Sequence, residues 1–407
     1  MQRSQPRLAP LVLATMASQA LLVVLSPTIV AIGDDLNASV GAVGQARAIS
    51  AAVAITASIA LARRIDALGI PLLLRLGAAL AIIACAAVAL SPTLAVFLLA
   101  HVLIGVAFAC LLSAGFAGVA AFSADRRAWA IGYVAGANAL AWIVVNPIVG
   151  AVTDLLSWRA AQAVPAAIAV ASLIAPRAAT SASAPPGQIR TLLAERSARR
   201  WIGAELIAYG AWTALLTFLG AFFIQQLGVG EGAVGWLLAG GAATYFAASS
   251  HSGALVDLFP RRHLVAGSAL LMAALVIAQL SVESAAIGVG IFCLLGLAAG
   301  VRTPASSGLG LEQLPDHPGA MMAGRTAATQ LGYLLGAVIG GAVITGAGYG
   351  ALGVVLALGM VASALLILRV DDPLEAPSAH APGSPGSTNH AREEQGGAAS
   401  WRRANSS

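Results

Sequence analysis

Long apolar runs separated by short polar breaks dominate the chain. A helix needs about 20 apolar residues to cross a bilayer, and twelve runs approach or exceed that length. They cover approximately 8–32, 41–62, 71–90, 93–121, 128–152 and 157–175, then 201–224, 232–256, 263–281, 285–309, 319–345 and 348–368. The pattern predicts an all-α membrane protein with twelve transmembrane helices.

Composition supports lipid as the solvent of this chain. Of its 407 residues, 59% are hydrophobic and only 10% are charged, whereas a soluble domain carries about 25% charged residues. Cys85, Cys110 and Cys293 all lie inside apolar runs and form no CxxC motif. We therefore expect neither a disulfide framework nor a metal site, and no cofactor.

The distribution of arginine predicts the orientation in the membrane. Every basic residue is Arg, the net charge is +5, and the arginines concentrate in alternate polar breaks. Basic loops face the cytoplasm, so we expect both termini inside a cytoplasmic (inner) membrane. Basic charge in such loops reflects topology and does not indicate nucleic-acid binding. We call the two sides of the predicted bundle the Arg-rich end and the Arg-poor end.

The two halves of the chain look like copies of one unit. An offset of 191 residues relates Gly41 to Gly232, Gly105 to Gly296, and Gly150 to Gly341. Matches spread along one offset indicate an internal repeat. The predicted organisation is a six-helix bundle over 1–175, a cytoplasmic linker over 176–200, a second bundle over 201–370 and a disordered cytoplasmic tail over 371–407.

A short polar break repeats at the same offset and carries a motif. The second copy lies within 251–267, and the first lies within 60–76. Their motif positions are Gly253, Asp257, Arg261 and Arg262 in the second copy, and Asp66 and Gly69 in the first. The motif resembles the signature of the major facilitator superfamily, most closely its twelve-helix drug:proton antiporter branch of drug and sugar efflux carriers. The resemblance implies that this break is a cytoplasmic gate, or latch.

Two further motifs bear on this resemblance. The segment Asn146-Pro147-Ile148-Val149-Gly150, followed by Trp158-Arg159, is similar to the antiporter signature of the fifth helix. Where the family has an arginine tied to proton coupling in the fourth helix, this chain has His101. Imidazole titrates near neutral pH, so His101 is either a coupling residue or a neutral histidine bonded inside the bundle.

Few ionisable groups interrupt the predicted spans. Arg47 is placed near the outer face, while Glu205, Arg302 and Arg325 fall toward the Arg-rich end, where an interfacial position is the alternative to a functional one. The candidate coupling residues are His101, Glu205 and Arg302. No acid lies mid-depth in the first span, where several drug antiporters of the family that this chain resembles carry one. The resemblance therefore argues against cationic substrates and favours neutral ones.

Polar and aromatic side chains at mid-depth are candidates for a substrate cavity. They are Gln19, Asn138, Trp142, Tyr209, Trp212, Tyr245, Gln330 and Tyr333. Small residues at four-residue spacing and a helix proline predict close helix packing. These packing positions are Pro147, Gly150, Gly332, Gly336 and Gly340. The glycine faces are either simple packing surfaces or the places where the two halves move against each other.

These features predict a monomeric carrier that exports a small organic compound by alternating access, coupled to protons. The alternatives are an uptake permease, a sugar or metabolite exporter without proton coupling, and a transporter-like membrane sensor. A membrane enzyme would need clustered catalytic or metal-binding residues, and no such motif is present in the sequence.

Overall fold

A computed structural model describes residues 7–62, 68–175, 192, 194–252, 255 and 258–372. The helices of the first half are α1 (Ala9–Val23), α2 (Leu25–Asp35), α3 (Val40–Ala62), α4 (Ile70–Ala89), α5 (Leu94–Ala117), α6 (Ala124–Leu155), α7 (Trp158–Ala161) and α8 (Ala163–Ile174). Those of the second half are α9 (Arg196–Gln225), α10 (Glu231–His251), α11 (Arg261–Gln279), α12 (Ala285–Glu312) and α13 (Pro318–Ile367).

Nine helical stretches within these described residues are long and apolar enough to cross a membrane. The α1 and α2 helices count as one of them, since they form a single span interrupted near Pro27, which cannot donate to the carbonyl one turn earlier. The 21 residues of α10 and the shorter apolar pair α7 and α8 add further crossings.

The α13 helix contains two crossings. Its 50 residues would extend roughly 75 Å as one straight helix, more than twice the hydrocarbon thickness of a bilayer. The chain reverses at Gly348, whose backbone has φ of 79° and no other group within 4 Å of the position a Cβ would take. Only glycine adopts this conformation without strain. With α13 counted twice, the nine long stretches give ten crossings. The α10 helix and the α7–α8 pair bring the described helices to the twelve predicted crossings.

The internal repeat is visible in how the halves contact each other. Gly41 of α3 packs against the carbonyl of Gly341 in α13, and Gly150 of α6 packs against Gly235 and the carbonyl of Glu231 in α10. The offset of 191 residues maps Gly41 to Gly232 and Gly150 to Gly341. It therefore relates the two contacts to within a few residues, because Gly150 meets Glu231 and Gly235, which lie beside Gly232 in the chain. Without side chains at these positions, the backbones approach closely, as in small-residue membrane interfaces.

These contacts all lie toward the Arg-poor end. There the carbonyl of Ser26 in α2 also meets Gly220 of α9, and Phe218 of α9 covers Gly44 of α3. Toward the Arg-rich end, by contrast, nothing lies within 4 Å of the position a Cβ would take at Gly132 or Gly136 of α6. The two halves are therefore packed together at one end of the bundle.

Candidate functional site

The side chain of Glu205 is the centre of a buried charged cluster in the second half. Glu205 lies on α9 and is fully buried. Its Oε1 accepts hydrogen bonds from Arg302 Nη2 at 2.6 Å and from the hydroxyl of Ser306 at 2.9 Å. Its Oε2 accepts one from Arg325 Nε at 3.0 Å. Two guanidiniums and a hydroxyl thus surround a single carboxylate.

Helical spacing explains why these side chains meet. Arg302 and Ser306 are four residues apart on α12, so both point toward α9. Trp201 lies one turn before Glu205 on α9 and donates from its indole nitrogen to the carbonyl and the hydroxyl of Ser306, each at 3.0 Å. The indole therefore orients the hydroxyl that Glu205 uses, and the α9–α12 contact is held by a connected polar network.

Arg325 extends the cluster toward the aromatic residues. Its Nη2 donates to the hydroxyl of Tyr209 at 2.6 Å, and its guanidinium lies 5.4 Å from the centre of the same ring. Tyr209 in turn contacts Tyr333 edge-on, with ring centres 6.5 Å apart. The chain of contacts thus runs from Glu205 through Arg325 to two of the predicted cavity residues.

A small cavity opens beside Arg302. Its enclosed volume is only about 10 Å³, room for about one water molecule, within about 240 Å³ of empty space that includes space open to its surroundings. Its lining consists of Ala208, Tyr209, Trp212, Met272, Ala299, Arg302, Thr303 and Met360. The wall is mostly apolar with a few polar groups, as small-molecule sites usually are, and flexible methionines on two helices can adapt to different ligands.

In the first half, Arg47 is a buried guanidinium on α3. Its side chain is 3% exposed, and its Nε and Nη2 have no hydrogen-bond partner among the described residues. Arg47 lies seven residues after the first residue of α3, roughly 10 Å from the helix end, and interacts electrostatically with Tyr333 across the interface between the halves. The sequence analysis placed Arg47 near the outer face, whereas in the structure its side chain is buried inside the bundle.

His101 lies on α5 in the first half, apart from the Glu205 cluster. Its ring is buried against Phe97, with ring centres 4.5 Å apart, and its Nδ1 lies 2.8 Å from the Phe97 carbonyl. The carbonyl of His101 accepts from Ser50 at 3.2 Å. A ring nitrogen bonded within its own helix fits the packing alternative, and its coupling role stays a prediction.

The predicted cavity residues separate into two groups. Tyr209 and Trp212 line the cavity, and Tyr245 interacts with Tyr209 and Thr303 nearby. Trp142 instead packs in an apolar cluster formed by α1, α6 and α7. The remaining four do not line that cavity: Gln19, Asn138 and Tyr333 are half-buried, and Gln330 is buried.

Half of the predicted gate lies outside the described residues, namely Asp66, Gly253 and Asp257. Gly69 precedes α4 with φ of 76°. Arg261 pairs with Glu312 of α12, and the backbone nitrogen of Arg262 donates to Asp372 at 2.8 Å. The described part of the gate therefore binds within its own half, and the latch role stays a prediction.

The glycine repeat of α13 packs mainly against its own half. Gly332 and Gly336 meet the backbone of Gly210 in α9, and Gly340 meets Phe218. Contacts between the halves instead involve the next residue, Gly341, together with Gly150 beside Pro147. Four-residue spacing predicts a small-residue face, but it does not reveal which neighbour covers that face.

At the Arg-poor end, carboxylates from both halves approach each other. We call Asp34, Asp154 and Glu231 the outer acidic cluster. Burial, together with the negative charges of Asp154 and Asp34, raises the pKa of Glu231 above its ordinary value. Nearby, Asp35 accepts from Arg159 at 2.6 Å in a half-exposed ion pair. Among the described residues, no group of three or more side chains could hold a metal ion.

Comparison with protein families identifies the architecture. The family model described as Major Facilitator Superfamily matches residues 11–201 and 201–404, nearly the whole chain. The chain belongs to this superfamily. The predicted all-α fold of two six-helix halves is thereby confirmed, and the protein is a multi-pass membrane transporter and not an enzyme.

Two solved structures share this fold. One is a bacterial homolog of the human lysosomal transporter Spinster in an inward-facing and unoccupied conformation, with a TM-score of 0.66 and 15% identity, covering 89% of this chain and 94% of that one. The other is a D-xylose–proton symporter, with a TM-score of 0.69 and 15% identity, covering 89% and 97%. A search of curated protein sequences gave no match.

Proposed function

We propose that this protein exports a small organic compound across the cytoplasmic membrane by alternating access, in exchange for protons. The observation that carries this proposal is the arrangement of the two halves. They contact each other through glycines at the Arg-poor end, while a buried charged cluster with an adjacent cavity lies farther inside. A carrier needs one closed end, a central site and an opposite end that opens.

The orientation follows from the arginine distribution. Arg-rich loops face the cytoplasm, so the packed Arg-poor end faces outward. In this proposal the structure corresponds to an inward-facing conformation, in which substrate enters from the cytoplasm. The solved Spinster homolog, which shares the fold, is likewise inward-facing and unoccupied.

Glu205 is the proton carrier in this proposal. It is a fully buried carboxylate that two arginines hold in its charged form. Helix movements that pull Arg302 or Arg325 away would leave a buried, unpaired carboxylate, which favours protonation. A rocking motion could thereby alternate Glu205 between a paired, charged form and a protonated one. His101 is the second candidate for this role.

Counterflow in proteoliposomes tests the proposal. A panel of labelled organic compounds is measured with and without an imposed pH gradient, in the wild type, in Glu205→Gln and in the matched control Asp35→Asn. Substrate exchange should persist in Glu205→Gln, but gradient-driven accumulation should disappear, whereas Asp35→Asn should retain both. Wild-type transport that ignores the gradient would show that proton coupling is wrong, and counterflow that depends on the gradient in Glu205→Gln would exclude Glu205 as the carrier.

A further inference from the structure

Positive charge exceeds negative charge in the interior of the bundle. Away from helix ends, the described spans bury the guanidiniums of Arg47, Arg302 and Arg325 but the carboxylate of Glu205 alone. Glu205 is shared by two of the arginines, and the Nε of Arg302 still has no hydrogen-bond partner among the described residues. Buried charges in proteins are normally paired, so this interior lacks negative charge.

Arg47 is the most conspicuous unpaired group. It is nine-tenths or more buried, and two of its nitrogens bond to nothing in the described part of the chain. In the opposite half it interacts electrostatically with Tyr333 of α13, which also contacts Tyr209. Because Tyr209 binds Arg325, the contacts lead from the unpaired charge of one half to the charged cluster of the other.

We infer that the substrate is an organic anion whose carboxylate or phosphate group pairs with Arg47. This inference rests on the proposed carrier function and specifies its substrate class. It replaces the neutral substrate that the sequence favoured, which was argued from the first span alone. Planar guanidiniums bind carboxylate and phosphate through paired hydrogen bonds, so the unused Nε and Nη2 of Arg47 suit such a group.

The surroundings indicate what the rest of the substrate looks like. Two aromatic residues, Tyr209 and Trp212, line the cavity beside Arg302. Tyr245 and Tyr333 interact with Tyr209, and Tyr333 also interacts electrostatically with Arg47. Aromatic side chains offer flat apolar surfaces with polar tips. An aromatic or otherwise apolar body carrying one anionic group therefore matches the chemistry of these side chains, with its charge on Arg47 and its body against the tyrosines.

Binding to the purified full-length protein in detergent tests the substrate class. The probes share one aromatic ring and differ in charge: benzoate and phenyl phosphate are anions, benzamide is neutral and benzylamine is a cation. Melting temperature is followed with a thiol-reactive dye, since Cys85 and Cys110 are buried in the folded protein. A ligand that binds the folded state raises the melting temperature. At least one anion should do so, and benzamide and benzylamine should not.

The matched variants are Arg47→Gln, Arg47→Lys and Arg75→Gln, the last because Arg75 is an exposed arginine on α4. Arg47→Gln should weaken anion binding about tenfold or more, Arg47→Lys should restore part of it, and Arg75→Gln should match the wild type. Three outcomes would each overturn the inference. The neutral or cationic probe could raise the melting temperature as much as an anion does, or Arg47→Gln could bind the anions as tightly as the wild type. The third is that neither anion raises the melting temperature at concentrations up to about 10 mM.

Stability without ligand gives an independent measurement. Replacing an unpaired buried charge by an apolar residue removes its desolvation penalty, so Arg47→Met should melt at a higher temperature than the wild type while losing protection by anions. A lower melting temperature for ligand-free Arg47→Met would show that Arg47 has a structural partner and would contradict the inference. None of these measurements requires transport, so a failure of export or of proton coupling in proteoliposomes is recognised separately.

Discussion

Neutralising Glu205 should destabilise the protein more than any change at an exposed ion pair. In Glu205→Gln the side chain keeps its size, but Arg302 and Arg325 lose their shared negative partner. Glu205 is 0% exposed, and the two arginine side chains are 5% and 19% exposed. Removing one partner of a buried ion pair costs about 3–5 kcal/mol, because the remaining charges stay buried and unpaired.

The half-exposed pair of Asp35 and Arg159 provides the comparison. Their side chains are 45% and 35% exposed, so water screens both charges, and an exposed pair contributes about 0–1 kcal/mol. Asp35→Asn makes the same change of charge as Glu205→Gln. The difference between the two variants should therefore be about 2–5 kcal/mol, which is more than tenfold in the unfolding equilibrium constant.

Reversible unfolding in mixed micelles, followed by circular dichroism as the denaturing detergent increases, measures this difference. A double-mutant cycle with Arg302→Met separates the ion pair from general damage. Removing Arg302 leaves Glu205 paired with Arg325, so the double variant should be more stable than additivity predicts, by about 0.5–3 kcal/mol. Equal losses in Glu205→Gln and Asp35→Asn, or strict additivity in the cycle, would refute the reasoning.

Three further predictions concern the two ends of the bundle. A methyl group on Gly41 would meet the carbonyl of Gly341, so Gly41→Ala should open the Arg-poor end and lower transport. In the control Gly267→Ala, where nothing lies within 4 Å, transport should be unchanged. The reactivity of cysteines introduced at the Arg-poor end should rise in Gly41→Ala and stay the same in Gly267→Ala. The pKa of Glu231 is raised when the outer acidic cluster is packed, so the packed state binds the Glu231 proton more tightly than the separated state does. The packed state should therefore gain population as the pH falls through the raised pKa. The gain should be complete below 4.5, the ordinary pKa of a glutamate. Cross-linking across the Arg-poor end should follow this profile in the wild type and lose the Glu231 contribution in Glu231→Gln. Asp257→Asn should impair transport and leave membrane insertion intact, and wild-type rates in that variant would remove the latch role.

The sequence predicts the spans and the repeat well, because both depend on local properties. A crossing requires a continuous apolar length, and the reversal at Gly348 falls where one predicted span ends and the next begins. The partners of Glu205 could not be predicted in the same way, because they are distant along the chain. They lie 97 and 120 residues away along the chain, and apolar periodicity does not tell which helices are neighbours. An interfacial position therefore remained an alternative to a functional one for each of the three charges when it was considered alone.

The burial of Arg47 was missed for a related reason. Two turns into a helix, an arginine can reach the membrane surface with its long side chain, so its depth depends on what packs around it. In the structure the bundle closes around α3 at this level, with Gly44 against Phe218 and Gly41 against Gly341. The absence of any carboxylate at a nearby helical position in α3 was the available signal, and it is the same feature that suggests an anionic ligand.

Departures from the repeat set the buried charged residues apart from the scaffold. The glycine contacts that join the halves are related by the offset of 191 residues to within a few residues, as expected of a scaffold built twice. The charged residues are not exchanged. At the same offset, Glu205, Arg302, Arg325 and Arg47 correspond to Ala14, Leu111, Val134 and Leu238, all of them buried hydrophobic residues. Each position is therefore an interior site that the fold can fill with an apolar side chain. Charge at these four positions is therefore not required by the architecture, which agrees with the proposed role of Glu205 in proton coupling and the proposed role of Arg47 in anion binding.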